Sequence, residues 1–374
     1  MPSWLKEGRG SLCGANVSLL LREMGITKPL LVAGERTKNV FFARTGMRLP
    51  VFDAFHPNPD LQDCVAGAAL YQEKGCDGLI SIGGGSAMDT AKGIKALLMT
   101  DIAHVRANQL PSEGNVPHLA IPGTAGTGAE TTAVAVLYED GQKLSVDHPA
   151  LLPDGVLLDG SLLDTLPEYH RKSCAMDALA QGIESWWAKK ATPGSRIHAE
   201  CAIRGVLDNL TAYLQGDRKA QDEMLHAAYE SGVAILTTRT TAAHAMSYQI
   251  TKKLGAAHGH ACMLTLPHLW AHLAAQAEYQ PMLTELSRIL GGEKPMDGAI
   301  LLKGLLAVLE LDKIPMPDDA TLDMLAASVN PERLGNHPEA LTMAQLRAIY
   351  VQAFTPMTDT ERAEAIAAWE QYGK

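Results

Sequence analysis

No C-x-x-C pair occurs in this chain, and its six cysteines (13, 64, 76, 174, 201 and 262) lie scattered. That excludes a zinc ribbon and a disulfide scaffold, and mostly unpaired thiols suit a reducing compartment. Nowhere do about 18 apolar residues run without interruption, so no membrane-spanning helix is expected. The opening stretch MPSWLKEGRGSL lacks an apolar signal core, and the expected location is cytoplasmic. Basic residues form no block and the net charge is −10, which makes nucleic acid and acidic membranes poor partners. An acidic chain can still bind a small anion through a local cationic pocket.

What is present is an ordinary globular composition, 47% hydrophobic and 20% charged over 374 residues, long enough for two domains. The first 160 or so residues alternate short apolar runs with helical stretches. Residues 29–34, 78–82 and 118–122 read as buried strands, and 60–74 and 90–99 as helices. That rhythm predicts a parallel sheet covered on both faces. After Leu166 long Ala/Leu-rich segments dominate (168–190, 196–215, 219–238, 262–278, 299–309, 343–353, 359–371), and strand-like runs almost vanish. The expected organisation is an α/β domain over 1–166 and an all-α domain over 167–374.

Two glycine-rich loops fall in the first domain. Gly83, Gly84, Gly85 and Ser86 follow a strand and open a helix, where bare amides and the helix N-terminus favour a phosphate. The spacing is neither G-x-G-x-x-G nor a P-loop. Pro122–Thr132 (PGTAGTGAETT) offers threonine hydroxyls and further bare amides. In the second domain, Asp177 and Gln181 are spaced i, i+4 on a helical pattern, and so are His244 and Tyr248. His258 lies beside glycine, in a segment read as a turn. Together these oxygen and nitrogen donors suit ferrous iron or zinc.

Five segments, GGGSAMDTAK (83–92), PGTAGTGAETT (122–132), LLPDGVLLDGSLLDTLP (151–167), MDALAQGIES (176–185) and AHAMSYQITKKLGAAHGHA (243–261), carry a resemblance. The chain resembles the iron-containing (group III) alcohol dehydrogenases over nearly its whole length. The resemblance implies a dinucleotide-binding α/β domain, a helical metal-binding domain and an active site in the cleft between them. It implies that Gly83, Gly84, Gly85 and Ser86 hold the pyrophosphate, with Asp89, Thr124, Thr127 and Lys143 around the cofactor. It implies metal binding by Asp177, His244 and His258, a small aldehyde or alcohol as substrate, and a homodimer.

Three departures from the family pattern stand out. Gln181 replaces a histidine, so the metal is held more loosely, is a harder cation, or is lost; His260 is a candidate substitute. Tyr248 replaces a histidine of the proton relay, leaving Tyr248 or His260 to donate a proton. Gly34 stands where many relatives carry an aspartate that repels a 2′-phosphate, and Arg36 and Lys38 nearby favour NADPH over NADH. Arg239, five residues before His244, is a candidate for holding an anionic head group. Lys252 and Lys253 read as surface cations. The pattern around 239–260 resembles the phosphonoacetaldehyde reductase branch, with sulfoacetaldehyde reduction chemically close. A dehydroquinate synthase-type lyase and a metal-free, non-catalytic relative are the rival readings.

Overall fold

The computed structural model describes residues 6–112 and 116–372. Two compact units emerge, Met1–Thr165 and Leu166–Lys374.

The first unit is built on a six-stranded parallel sheet. Its strands are β1 (Lys6–Arg9), β2 (Pro29–Ala33), β3 (Val51–Phe52), β4 (Gly78–Gly83), β5 (His118–Pro122) and β8 (Gly155–Leu158), in the order β1-β8-β5-β4-β2-β3. Every residue of β2, β4 and β5 is buried, as expected of strands covered on both faces. Side chains alternate across the sheet. Leu30 and Val32 join the core that contains Leu61 and Ile94, whereas Leu31 and Ala33 join the one that contains Leu20 and Phe41. The covering helices are α1 (Gly14–Glu23), α2 (Glu35–Thr45), α3 (Leu61–Lys74), α4 (Gly85–Met99) and the short α5 (Ile102–Arg106). A capping box between Asp60 and Asp63 starts α3.

From β4 the sheet grows in both directions, through β2 to β3 and through β5 to β8 and β1. The switch point lies between β2 and β4, where Gly34 and the triglycine turn leave the carboxyl ends of their strands. Open α/β sheets bind ligands in the crevice at such a point. An antiparallel hairpin, β6 (Val134–Glu139) and β7 (Gln142–Asp147), was not expected. Its turn is Asp140-Gly141, with φ of 50° and 72°, the positive pair that a two-residue hairpin requires.

The second unit is helical. Its helices are α6 (Glu168–Trp187), α7 (Pro193–Leu214), α8 (Arg218–Thr238), α9 (Ala242–Gln249), α10 (His258–Ala274), α11 (Gln280–Leu290), α12 (Asp297–Val308), α13 (Asp319–Ala327), α14 (Pro331–Leu334), α15 (Met343–Phe354) and α16 (Asp359–Tyr372). A π-turn, Ile250–Leu254, separates α9 from α10. Gly259 lets α10 press against α6: a Cβ there would strike the Ser173 carbonyl oxygen and lie 2.6 Å from the Asp177 amide nitrogen. That close approach brings His258 beside Asp177. No described helix is long and apolar enough to cross a membrane.

Candidate active site

The two small-residue loops of the first unit form one cradle. The Gly123 amide donates to the Gly83 carbonyl at 2.7 Å. A Cβ on Gly84 would lie 3.2 Å from the Thr124 methyl, and one on Gly85 would lie 3.6 Å from that of Thr127. Gly83 has φ +149°, a conformation that side chains avoid. Helix α4 begins at Gly85, five residues earlier than the apolar spacing suggested, so free amides at its N-terminus sit inside the loop. Buried Lys92 braces the second loop from behind, donating to the carbonyls of Ala129 (2.6 Å) and Val134 (2.9 Å) and to Thr132 Oγ1 (3.1 Å). Asp89 lies half-buried on α4. Burial pushes its carboxyl up to about 6, against Lys92, the Val136 amide and Lys143 on β7.

In the second unit, donor atoms from Asp177, His244, His258 and Cys262 all lie within 4.8 Å of one another. Asp177 comes from α6, His244 from α9, and His258 and Cys262 from α10. His244 Nε2 is 3.2 Å from Asp177 Oδ1, His258 Nε2 is 3.9 Å from the same oxygen, and Cys262 Sγ is 3.9 Å from His258 Nε2. The other face of His244 is held by Glu184, whose Oε2 meets Nδ1. Glu184 Oε1 accepts from the Thr241 amide (3.1 Å), the Thr241 hydroxyl (2.6 Å) and the Ala243 amide (2.8 Å). A carboxylate on Nδ1 fixes the tautomer and leaves Nε2 as the donor. Burial alone would raise the Asp177 and Glu184 carboxyls, but the imidazoles beside them hold both below the usual carboxylate range. Burial opposes ionisation of the Cys262 thiol too, yet His244 and His258 bring it down to about 7. A buried carboxylate, two imidazoles and an ionisable thiol are a donor set that fits a divalent transition metal. His258 is the exposed member, with 37% of its side chain accessible against 3% for Asp177.

Comparison with known proteins identifies the family. Family models described as "Iron-containing alcohol dehydrogenase" and "Fe-containing alcohol dehydrogenase family, C-terminal" match residues 3–160 and 172–354. The chain belongs to the iron-containing alcohol dehydrogenase family. Probable alcohol dehydrogenase EutG of Escherichia coli is 34% identical over 65% of this chain and 60% of its own length. Phosphonoacetaldehyde reductase of Streptomyces viridochromogenes is 36% identical over 57% of this chain and 58% of its own. The chain thus spans under two thirds of either relative. Among solved structures, the sulfoacetaldehyde reductase of Bifidobacterium kashiwanohense in complex with NAD+ superposes with a TM-score of 0.85 at 26% identity, covering 95% of this chain and 97% of that one.

The structure brings some of the residues singled out in the sequence together and keeps others apart. Gln181 does not offer its oxygen to the donor cluster. Its Oε1 accepts from Ser231 Oγ at 2.8 Å, and its amide donates to the Asp177 carboxylate. His258 is the first residue of α10 rather than part of a turn. His260 therefore projects to a different side of the helix, because residues two apart do not share a face. Its Nδ1 pairs with the Tyr169 hydroxyl at 3.1 Å and its Nε2 with the Leu311 carbonyl at 2.8 Å, so it is neither a substitute ligand nor a proton donor. Arg239 ends α8 with φ +63° and donates to the Leu236 carbonyl at 3.2 Å. Tyr248 lies parallel to His258, ring centres 5.9 Å apart. The guanidinium over Tyr248 belongs to Arg333, 6.0 Å from the ring centre, with Nη1 2.6 Å from Thr240 Oγ1.

On the cofactor side, Gly34 faces open space. Arg36 reaches Thr165 Oγ1. Lys38 is held between Glu35 and Asp53, each at 2.6 Å, so its charge is already balanced rather than reserved for a 2′-phosphate. Ser86 Oγ accepts from the Asn58 amide at 3.3 Å. Lys252 and Lys253 are exposed on the π-turn.

Glu184, Cys262 and Arg333 were missed by sequence reasoning. Glu184 follows Asp177 by seven residues on one helical face, and Cys262 follows His258 by four, so both carried a readable spacing. Arg333 carried none, since it arrives from α14.

Proposed function

We propose that this chain is an NAD(P)H-dependent aldehyde reductase, reversibly an alcohol dehydrogenase, acting on small anionic aldehydes such as phosphonoacetaldehyde or sulfoacetaldehyde. The observation that carries the reading is the Asp177–His244–His258–Cys262 cluster, buried except at His258, with Arg333 over the neighbouring Tyr248. When bound, a divalent metal at this cluster polarises the carbonyl oxygen and the nicotinamide supplies hydride. The chain's residues position and stabilise. Asp177 and the two imidazoles would hold the metal, and Glu184 keeps His244 in the tautomer suited to ligation. Tyr248, beside the exposed His258, is placed to pass a proton toward the developing alkoxide. Arg333 presents a planar fork suited to a phosphonate or sulfonate. The Gly83–Ser86 turn and Thr124 and Thr127 cradle the pyrophosphate, with Asp89 and Lys143 beside them. Glu35 and Asp53 neutralise Lys38, which favours acceptance of both NADH and NADPH over strong selection for the phosphorylated form.

The test is a panel followed at 340 nm with either nucleotide: phosphonoacetaldehyde, sulfoacetaldehyde, succinic semialdehyde and a neutral alkyl aldehyde. The anionic two-carbon aldehydes should give the highest kcat/KM. Preference for the neutral aldehyde would remove the role given to Arg333. His258→Ala should abolish turnover while leaving nucleotide binding intact.

A further inference from the structure

We infer that Cys262 supplies the donor that Gln181 does not, and that the resulting thiolate-containing centre is selective for zinc. The inference rests on the metal reading above and deepens it. Three observations carry it. First, Gln181 is engaged at both ends of its amide, by Ser231 and Asp177, so α6 contributes one ligand instead of two. Second, α10 contributes two: His258 and Cys262 are spaced i, i+4 and point to the same side, and Cys262 is buried. Third, the spacing fits. With metal–nitrogen and metal–oxygen bonds near 2.0–2.1 Å and a metal–sulfur bond near 2.3 Å, the edges of a tetrahedron are about 3.3–3.6 Å. Three of the six separations between donors are 3.2, 3.9 and 3.9 Å, and all six lie within 4.8 Å, so inward shifts of about an ångström or less close the polyhedron.

The exchange changes the chemistry of the centre. An Asp carboxylate, a thiolate and two neutral imidazoles total −2 and balance a divalent ion, whereas one carboxylate with an amide and two imidazoles would leave a positive centre. Thiolate donors select zinc over ferrous iron, and zinc is also the stronger binder in the divalent series. A zinc ion held by these four residues would bind a substrate oxygen only by expanding to five ligands, as zinc sometimes does in a transition state. The accessible side is that of His258, where the aldehyde oxygen can enter.

X-ray absorption at the zinc edge of zinc-reconstituted, full-length protein decides the matter. One sulfur at about 2.3 Å is the expected result, together with thiolate-to-metal charge-transfer absorption in the cobalt-substituted protein. Cys262→Ser should lose both signals and retain metal poorly in chelator competition. Adding Gln181→His in that background should restore retention with a shell of light atoms only. A wild-type shell of nitrogen and oxygen alone overturns the role of Cys262 while leaving the metal reading intact. Failure of wild-type protein to hold any divalent metal after reconstitution overturns both. If Cys262→Ser does not fold, the wild-type spectrum still decides.

Discussion

Replacing Glu184 by glutamine tests how far the centre depends on a residue that does not touch the ion. In the wild type, Oε1 accepts from Thr241 and Ala243, and Oε2 takes the Nδ1 proton of His244. The amide oxygen of glutamine can keep the first set. Its NH2 end then faces Nδ1–H, so two donors oppose each other and the imidazole must rotate or move its proton to Nε2, the ligating atom. The lost charge-assisted hydrogen bond is worth about 1.5–3 kcal/mol. At about 2–4 °C per kcal/mol in a domain of this size, the second unit should melt about 3–12 °C lower. Loss of a second-shell carboxylate typically weakens metal binding about 10- to 100-fold. Chelator competition and differential scanning calorimetry of the apo and zinc-loaded forms measure both effects. Glu184 titrates below the ordinary carboxylate range in the folded protein. Its contribution is therefore fully present above the unfolded value, about 4.3, and the gap between wild type and variant should close only as pH falls below that toward the folded value. Metal affinity within twofold of wild type, with an unchanged melting temperature, would refute the argument.

Arg333→Gln should cut kcat/KM for phosphonoacetaldehyde or sulfoacetaldehyde about 10- to 150-fold, the equivalent of one charged hydrogen bond of 1.5–3 kcal/mol, and barely change it for a neutral aldehyde; equal losses on both would count against an anion site. Glu130 is buried, its Oε1 has no partner, and burial raises its carboxyl from 4.5 to about 7. A raised folded value means stability is lost as pH climbs through that interval, so Glu130→Gln should melt above wild type at pH 8 and match it near pH 4; melting below wild type at pH 8 would contradict this. Glu35→Gln with Asp53→Asn releases Lys38 from its two partners and should lower KM for NADPH relative to NADH, checked by steady-state kinetics with each nucleotide.

The sheet of the first unit was legible because its central strands are buried on both faces and read as unbroken apolar runs bounded by glycine. The hairpin β6–β7 was not, because its strands are only partly buried and β7 carries no apolar run. The Asp140-Gly141 pair that marks its turn lay outside the strand–helix rhythm and drew no attention. In the second unit, Ala/Leu-rich length revealed the long helices and the i, i+4 spacing of His244 and Tyr248 marked α9, but α11 and α13, which are short, were not read. The cluster was partly readable. Asp177, His244 and His258 were grouped from sequence, and the structure brings them within 4.8 Å. Cys262 was overlooked because cysteines were weighed as pairs, and because His258 was assigned to a turn, which hides the i, i+4 relation. The same misassignment gave His260 a role that its helical position denies it. Arg333 shows the limit of local reasoning, since a contact between α14 and α9 depends on the packing of the whole bundle.

All four donors of the cluster, and Glu184 behind them, reside in Leu166–Lys374, whereas the glycine cradle resides in Met1–Thr165. On the proposed reading, the ion and the nucleotide are thus held by residues from separate pieces of the chain. Stripping the ion should leave the nucleotide's dissociation constant largely alone, and mutating the cradle should leave the ion in place. A preparation that has lost its metal can therefore still be captured on a dye or nucleotide resin, so retention there is no measure of how much of it can turn over.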